Sequence, residues 1–293
     1  MKIKALIALL CILACLTMFF YGCNDQQQEV KVLNTELTVG ATQPFKIVHA
    51  SDIHTLLTAD SDSKKLKKEG KNRVRYFGKN PDQKLDIITD LANENDARIV
   101  ITGDFMDFIS DGNINKLAEF VRETNAIYVP GNHEMEFISP EDEQRLTQAA
   151  QRNVRFFTEE INGVVFVGID NTNHRMTQDQ LDRLKSVVES DKPVILLLHV
   201  PLFQKDMYDI SIQSDGSAYL MAVPEELMTN YSEFRYNDQK ADAVTYEAYD
   251  YITAQDNIKA ILCGHVHFDF ETQVGKVKQY VVGTNTARVI SIS

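Results

Sequence analysis

The sequence predicts an α/β fold whose strands deliver ligands to one end of a sheet, and two observations carry that expectation. Short apolar runs rich in β-branched residues recur along the chain, each the length of a buried strand, with helix-like spacing between them. Five of these runs end on side chains that bind metals. Lys46 to Ser51 leads to Asp52-Ile53-His54, Ile99 to Thr102 leads to Gly103-Asp104, and Ile127 to Pro130 leads to Gly131-Asn132-His133. Val194 to Leu198 leads to His199, and Ile261 to Cys263 leads to Gly264-His265-Val266-His267. Open α/β sheets gather their sites at the C-terminal ends of strands. Glycine at such an end lets the backbone turn sharply and approach a ligand closely, so Asp104 is presented at a strand lip.

A chain of 293 residues can bury a full core, as one large α/β domain or two smaller ones. The formal net charge of -12 argues against binding to a nucleic-acid backbone. Residues 1–23 read as an export leader: Met1-Lys2-Ile3-Lys4 is basic, Ala5 to Tyr21 is apolar, and Gly22-Cys23 precedes the polar Asn24 to Glu29. Gly22-Cys23 resembles a bacterial lipoprotein processing site, although Phe20 and Tyr21 are bulkier than the usual residues there. A plain signal peptide or an uncleaved anchor is the alternative, and Cys15 after Ala14 is a rival site. With Cys23 acylated, the protein would be lipid-anchored in the cell envelope, and Cys263 would be its only thiol, leaving no internal disulfide.

Residues 24–44 form a polar tether that includes an edge strand at Val30 to Val39, and the domain is expected over 45–293. Lys64 to Lys79 is a basic loop, expected to leave the rim of the site just after His54. Helices are predicted at Gln83 to Asn93, Asn115 to Glu123, Pro140 to Gln151, with proline at its start, and Gln178 to Glu189. Asn162-Gly163 between Arg155 to Ile161 and Val164 to Ile169 signals a hairpin. Residues 201–245, with Tyr208, Tyr219, Tyr231, Tyr236 and a short helix at Pro224 to Phe234, read as an insertion over the site rather than a second domain. A helix at Glu247 to Asp256 and antiparallel strands near Val274 to Val282 and Ala287 to Ile292 complete the chain.

Imidazoles and oxygen ligands on separate strands suit Zn²⁺, Mn²⁺ or Fe better than Ca²⁺ or Mg²⁺. Asp52-x-His54 and His265-x-His267 are i, i+2 pairs, which extended backbone would point to one side. Asp52, His54, Asp104, Asn132, His199, His265 and His267 exceed the needs of one tetrahedral ion and suffice for two if a carboxylate bridges. Two such ions form the clamp used in phosphate-ester hydrolysis.

Asp52-x-His54, Gly103-Asp104-x-x-Asp107, Gly131-Asn132-His133-Glu134, His199 and Gly264-His265-x-His267 occur in the order of the calcineurin-like metallophosphoesterase superfamily, which the chain resembles over about residues 45–290. The resemblance implies a four-layer α-β-β-α sandwich of two mixed sheets flanked by helices. It implies that Asp52, His54, Asp104 and His267 hold one ion, and Asp104, Asn132, His199 and His265 the other. His133 would touch the phosphate and protonate the leaving oxygen, supported by Asp107. Two divalent ions over two carboxylates would leave a positive patch for phosphate. The Gly264-His265-x-His267 motif departs from the protein Ser/Thr phosphatase branch, which argues against a protein phosphatase.

Other residues have plainer expectations. His49 is a hydrogen-bonded core residue, Cys263 an inert packing residue, the insertion tyrosines mainly packing, and His174 a loop residue outside the substrate site. The leading reading is an exported, membrane-tethered two-metal phosphohydrolase. A diesterase acting on cyclic nucleotides or phospholipid head groups, and a non-catalytic metal-binding surface protein, are the alternatives. Ester type, metal identity and oligomeric state are not encoded legibly.

Overall fold

The computed structural model describes residues 29–293. The leader, Cys15 and Cys23 lie outside the described residues. Among the described residues eleven strands form two mixed sheets. The first contains β1 (Lys31–Leu37), β2 (Phe45–Ala50), β3 (Ala97–Thr102), β4 (Ile127–Val129) and β11 (Thr286–Ile292), in the order β1-β11-β2-β3-β4. The second contains β5 (Phe156–Ile161), β6 (Val164–Ile169), β7 (Val194–Leu197), β8 (Ile258–Cys263), β9 (Phe270–Val274) and β10 (Val277–Val281), in the order β5-β6-β7-β8-β10-β9.

The sheets pack face to face through a dry layer to which Ile47, Val100, Val129, Phe166, Leu197 and Leu262 contribute. Alternate residues of the first sheet, such as Val48, Ile99 and Ile101, turn the other way. They meet the apolar faces of α2 (Gln83–Asn95), α3 (Asp111–Thr124) and α5 (Pro140–Ala150), which contribute Leu85, Leu117 and Leu146; α1 (Lys64–Phe77) precedes these helices in the chain. The second sheet is covered by α6 (Gln178–Val188), α9 (Ala243–Ala254) and the segment around residues 201–242. Buried on both faces, the central strands read as continuous apolar runs, which is why they were visible in sequence. The result is the expected four-layer α/β sandwich. Among the described residues no helix is long and apolar enough to cross a membrane.

Local chemistry accounts for most boundaries. Ser63, Ser110, Ser139 and Thr177 cap their helices by accepting from the backbone N–H three residues on. Asn162 and Gly163 both take positive φ, 48° and 81°, and turn β5 into β6.

Three expectations are corrected and one is sharpened. The basic segment is not a loop: Ser63 starts a helix that runs to Phe77, and Gly70 in its middle packs against Leu56 and Phe108. The edge strand expected at Val30 to Val39 is present at residues 31–37, zipped along its length to β11, from Lys31 beside Thr286 to Leu37 beside Ile292, so this part of the expected tether is built into the first sheet. The two C-terminal strands do not pair with each other. Gly275, with φ 58°, turns β9 back as β10 within the second sheet, whereas β11 crosses to the first. The single helix at Pro224 to Phe234 is two short pieces, a 3₁₀ turn at Glu225–Met228 and α8 (Glu233–Gln239), because Ser232 caps a new start.

Candidate metal centre

After β2 and β3 the two chains stay paired as they leave the sheet: Asp52 N–H donates to Gly103 O (3.0 Å) and His54 N–H to Asp104 O (2.9 Å). Asp52, His54, Asp104, His265 and His267 all have left-handed backbone, with φ between 48° and 71°. The extended i, i+2 geometry expected from sequence is therefore wrong. Convergence comes instead from strained turns, each costing on the order of 1–3 kcal/mol and persisting only where surrounding structure holds it.

Three motif glycines are spaces that ligand side chains fill. A methyl group on Gly103 would overlap the His199 imidazole, one on Gly131 the Asp104 carboxylate, and one on Gly264 both Ser51 and the Asp52 carboxylate. The glycines recur at strand ends because the ligands could not otherwise come this close.

All seven expected ligands are brought to the same end of the two sheets. In the first group, Asp52, His54, Asp104 and His267 offer atoms within 4.8 Å of one another. His267 Nε2 lies 3.2 Å from Asp52 Oδ1 and 3.1 Å from His54 Nε2. In the second, Asp104, His199 and His265 do the same, with His199 Nε2 3.3 Å from Asp104 Oδ2 and 3.1 Å from His265 Nδ1. Asn132 Oδ1 lies 3.1 Å from His199 Nε2. Asp104 belongs to both groups.

The donor set fits divalent cations. Ring nitrogens face ring nitrogens and carboxylate oxygens, and Asp52 Oδ1 is buried without a hydrogen-bond donor. A cation in their midst would satisfy what otherwise costs several kcal/mol per buried charge. Supporting contacts orient the ligands. His199 Nδ1–H donates to Thr102 O (2.8 Å), freeing Nε2, and Asp52 Oδ2 accepts from His265 N–H (2.9 Å).

His133 sits on the one-turn helix α4 (Asn132–Met135), where its Nδ1 faces Asp107 O at 2.9 Å and Asp107 Oδ1 at 3.2 Å. Its Nε2 points towards Asp104 Oδ2, 4.0 Å away. Burial works against protonation of His133, but Asp104 and Asp107 outweigh it and raise its pKa to about 10. Burial likewise opposes ionisation of Asp107, yet hydrogen bonds from His133 and His54 hold its carboxyl below the usual range.

Sequence reasoning missed several contributors. Glu134, fully buried, accepts from the backbone N–H groups of Gly131 (2.7 Å), Met106 (2.9 Å) and Asp104 (3.1 Å), tying two ligand turns together. Its position three residues after the N-cap Gly131, where a glutamate can reach back to the cap N–H, is a signal that could have revealed it. Lys84 Nζ, buried, donates to Asp52 O (3.3 Å) and Thr284 O (2.9 Å). Helix α1 reaches into the site: Arg73 Nε lies 3.2 Å from Asp107 Oδ2, and the Phe77 ring stacks on His54 with centroids 4.0 Å apart. No local signal separates Arg73 from the surface lysines around it.

The plainer expectations largely hold. His49 is buried on Thr102 Oγ1 (2.8 Å) and Cys263 is a buried free thiol. Tyr208 donates to Leu227 O and Tyr231 accepts from Ala218 N–H, both as packing residues, but Tyr219 lines the cavity at the site. His174 lies in a loop as expected and is buried, with its ring 5.4 Å from that of His265.

Two sheets sandwiched between helices, with carboxylates and imidazoles gathered at the sheet ends, define an α/β protein with a candidate metal centre. Residues 45–269 match the family profile described as calcineurin-like phosphoesterase, and the chain belongs to that family. It is a metal-dependent phosphohydrolase. A dimetal phosphatase from Danio rerio shares the fold, with 12% identity, a TM-score of 0.50, and coverage of 82% of this chain and 88% of that one. The calcineurin-like phosphoesterase YfkN from Bacillus subtilis aligns at 13% identity and TM-score 0.46, over 83% of this chain and 82% of its own. A purple acid phosphatase from yellow lupin aligns at 15% identity and TM-score 0.47, over 83% of this chain and 44% of its own. No curated protein sequence matches the chain.

Proposed function

We propose that the protein hydrolyses a phosphate ester at a centre of two divalent transition ions, Mn, Fe or Zn, with His133 as general acid. The observation that carries this reading is Asp104, whose carboxylate is common to two converging ligand groups. Asp52, His54 and His267 complete one group, and Asn132, His199 and His265 the other. When bound, the ions supply Lewis-acid stabilisation of the phosphoryl oxygens and lower the pKa of water.

The remaining work falls to the chain. Asp107 fixes the His133 ring through Nδ1, so the second nitrogen carries the proton to be given to the leaving oxygen. Glu134 and Lys84 hold the backbone of the ligand turns, and the strained turns keep the carboxylates aimed before substrate arrives. A purely structural metal site would not need His133, and would be closed. Here Asp104, Asn132, His133, His265 and His267 line a cavity of about 380 Å³.

The test is turnover of a panel of mono- and diesters by protein reloaded with single metals. Hydrolysis dependent on metal is expected, and the preferred ester identifies the leaving group. Protein that binds metals yet cleaves none of the panel would return the reading to a metal-binding surface protein.

Export and anchoring through Cys23 belong to the same reading, on the strength of the apolar-to-polar switch at Gly22-Cys23. Strand β1 begins at Lys31 beside Thr286, at the sheet end that carries the site, so a short tether would hold the opening near the membrane. Cys23→Ser should abolish fatty-acid labelling, and label that persists refutes the anchor.

A further inference from the structure

The cavity at the ligand cluster has a second wall, contributed by the insertion. Ser211 of α7 (Lys205–Asp215), Ala218, Tyr219 and Arg235 of α8 stand across from Val266 and Phe268. Among the described residues lining it, Arg235 is the one lysine or arginine. Its guanidinium lies over the Tyr219 ring, 4.7 Å from the centroid, and that ring is 5.8 Å from the ring of His265. A single aromatic ring therefore separates this cation from a ligand-group histidine.

The wall is built rather than incidental. Tyr219 has left-handed backbone, φ 53°, which a tyrosine adopts only when held. It is held on both sides: Tyr219 N–H donates to the buried Gln239 Oε1 (3.1 Å), and Ala218 N–H to Tyr231 Oη (2.8 Å). Gln239 is itself fixed by Ser217 Oγ (3.2 Å). At the far end of α8, Arg175 donates to Lys240 O (2.9 Å) and Asn237 O (2.8 Å), so the helix carrying Arg235 is pinned at its C-terminal end.

The charge of Arg235 is not spent in an ion pair among the described residues. Among the described residues no carboxylate lies within ion-pair distance of it, although Asp238 is near enough to feel its field. An arginine fork matches carboxylate and phosphate geometry, and stacking on an aromatic face orients it without blocking its outer N–H groups. In a protein of net charge -12, a local cation beside the phosphate position is what an anionic substrate would select.

We propose that Tyr219 and Arg235 form a second-anion subsite, so that the substrate is a small phosphoester bearing another negative group, a carboxylate or a second phosphate. This rests on the phosphohydrolase reading for its first subsite. The cavity volume suits a small molecule rather than a folded phosphoprotein segment.

The test uses metal-loaded protein and three non-hydrolysable probes: benzylphosphonate, 3-carboxybenzylphosphonate and a meta-xylylene bisphosphonate. Calorimetry should show one or both doubly anionic probes binding roughly tenfold tighter than benzylphosphonate, the size of one charge-assisted hydrogen bond. The preferred probe distinguishes carboxylate from phosphate. Arg235→Gln should collapse that ratio, Arg235→Lys should retain part of it, and added salt should shrink it. Matching melting temperatures will show that the variants fold. A wild-type ratio near one, a ratio that survives Arg235→Gln, or no binding of any probe overturns the subsite. Arg235-dependent selectivity without ester turnover would leave the subsite standing and remove the hydrolytic reading instead.

Discussion

Arg73 offers the sharpest test of how helix α1 serves the site, because its neighbours Lys67, Lys68 and Lys71 supply internal controls. The Asp107 side chain is fully buried, and among the described residues Arg73 Nε, 3.2 Å from Oδ2, is its one cationic partner other than histidine. Arg73→Gln leaves that oxygen without its charge partner. Breaking a fully buried pair costs about 3–5 kcal/mol, but the Arg73 side chain is 35% exposed and is shared with Glu69 at 3.0 Å. Solvent screening of this kind reduces the expected loss to about 1–2 kcal/mol. For a domain of this size that is a fall in Tm of roughly 2–8 °C, against roughly 0.5 kcal/mol or less for Lys68→Gln on the exposed face. Because Asp107 also holds His133, Arg73→Gln should lower kcat on alkyl esters more than Lys68→Gln does. A double-mutant cycle with Asp107→Asn, read by thermal unfolding of metal-loaded protein, should give a coupling of about 1 kcal/mol. Additivity within about 0.3 kcal/mol, or an Arg73→Gln variant indistinguishable from Lys68→Gln, would refute the argument.

Further outcomes follow from the same geometry. Purified protein should hold close to two transition ions per chain; Asp104→Ala should lose both and His267→Ala mainly weaken one, by elemental analysis, and a stoichiometry unchanged in Asp104→Ala would disprove bridging. His133→Ala should keep its metals and lose on the order of 10²–10⁴ in rate on alkyl esters, with less loss on esters of acidic phenols; equal losses would assign it to phosphate binding alone. Gly264→Ala should displace the Asp52 carboxylate and so reduce metal content while leaving the sheets folded, as circular dichroism would show. For His49, burial first, and the Arg288 charge second, push the pKa down to about 3, so the folded protein keeps this ring neutral while the unfolded chain protonates it below about 6.5. Its stability contribution is therefore intact above pH 6.5 and lost as pH falls towards 3, at about 1.4 kcal/mol per unit. Metal-free wild type should show that extra slope relative to His49→Gln between pH 6 and 4, and parallel unfolding curves would contradict it.

Much of this protein was legible because burial and chirality leave short-range marks. The central strands had to be apolar on both faces, so Ile99 to Thr102 and Val194 to Leu198 could be read without a partner in view. The candidate ligands at the strand ends left a local mark too, since glycine must sit where Asp52, Asp104 and His199 crowd the backbone. Asn162-Gly163 specified its own turn for the same local reason, the cost of positive φ.

Where pairing depends on distant chain, sequence had no purchase. The edge strand expected near residues 31–37 finds its partner only in β11, more than 240 residues later. The left-handed turns at Asp52 and His54 are stabilised by cross-strand bonds and that at His265 by the Asp52 carboxylate, not by local propensity, so an extended reading was the natural error. Arg73, Phe77, Lys84 and Arg235 look like any surface or packing residues until the fold carries them to the ligand cluster. A metal ligand is marked by its own turn, whereas the residues that support it or meet the substrate beyond it are marked only by what the tertiary structure places beside them.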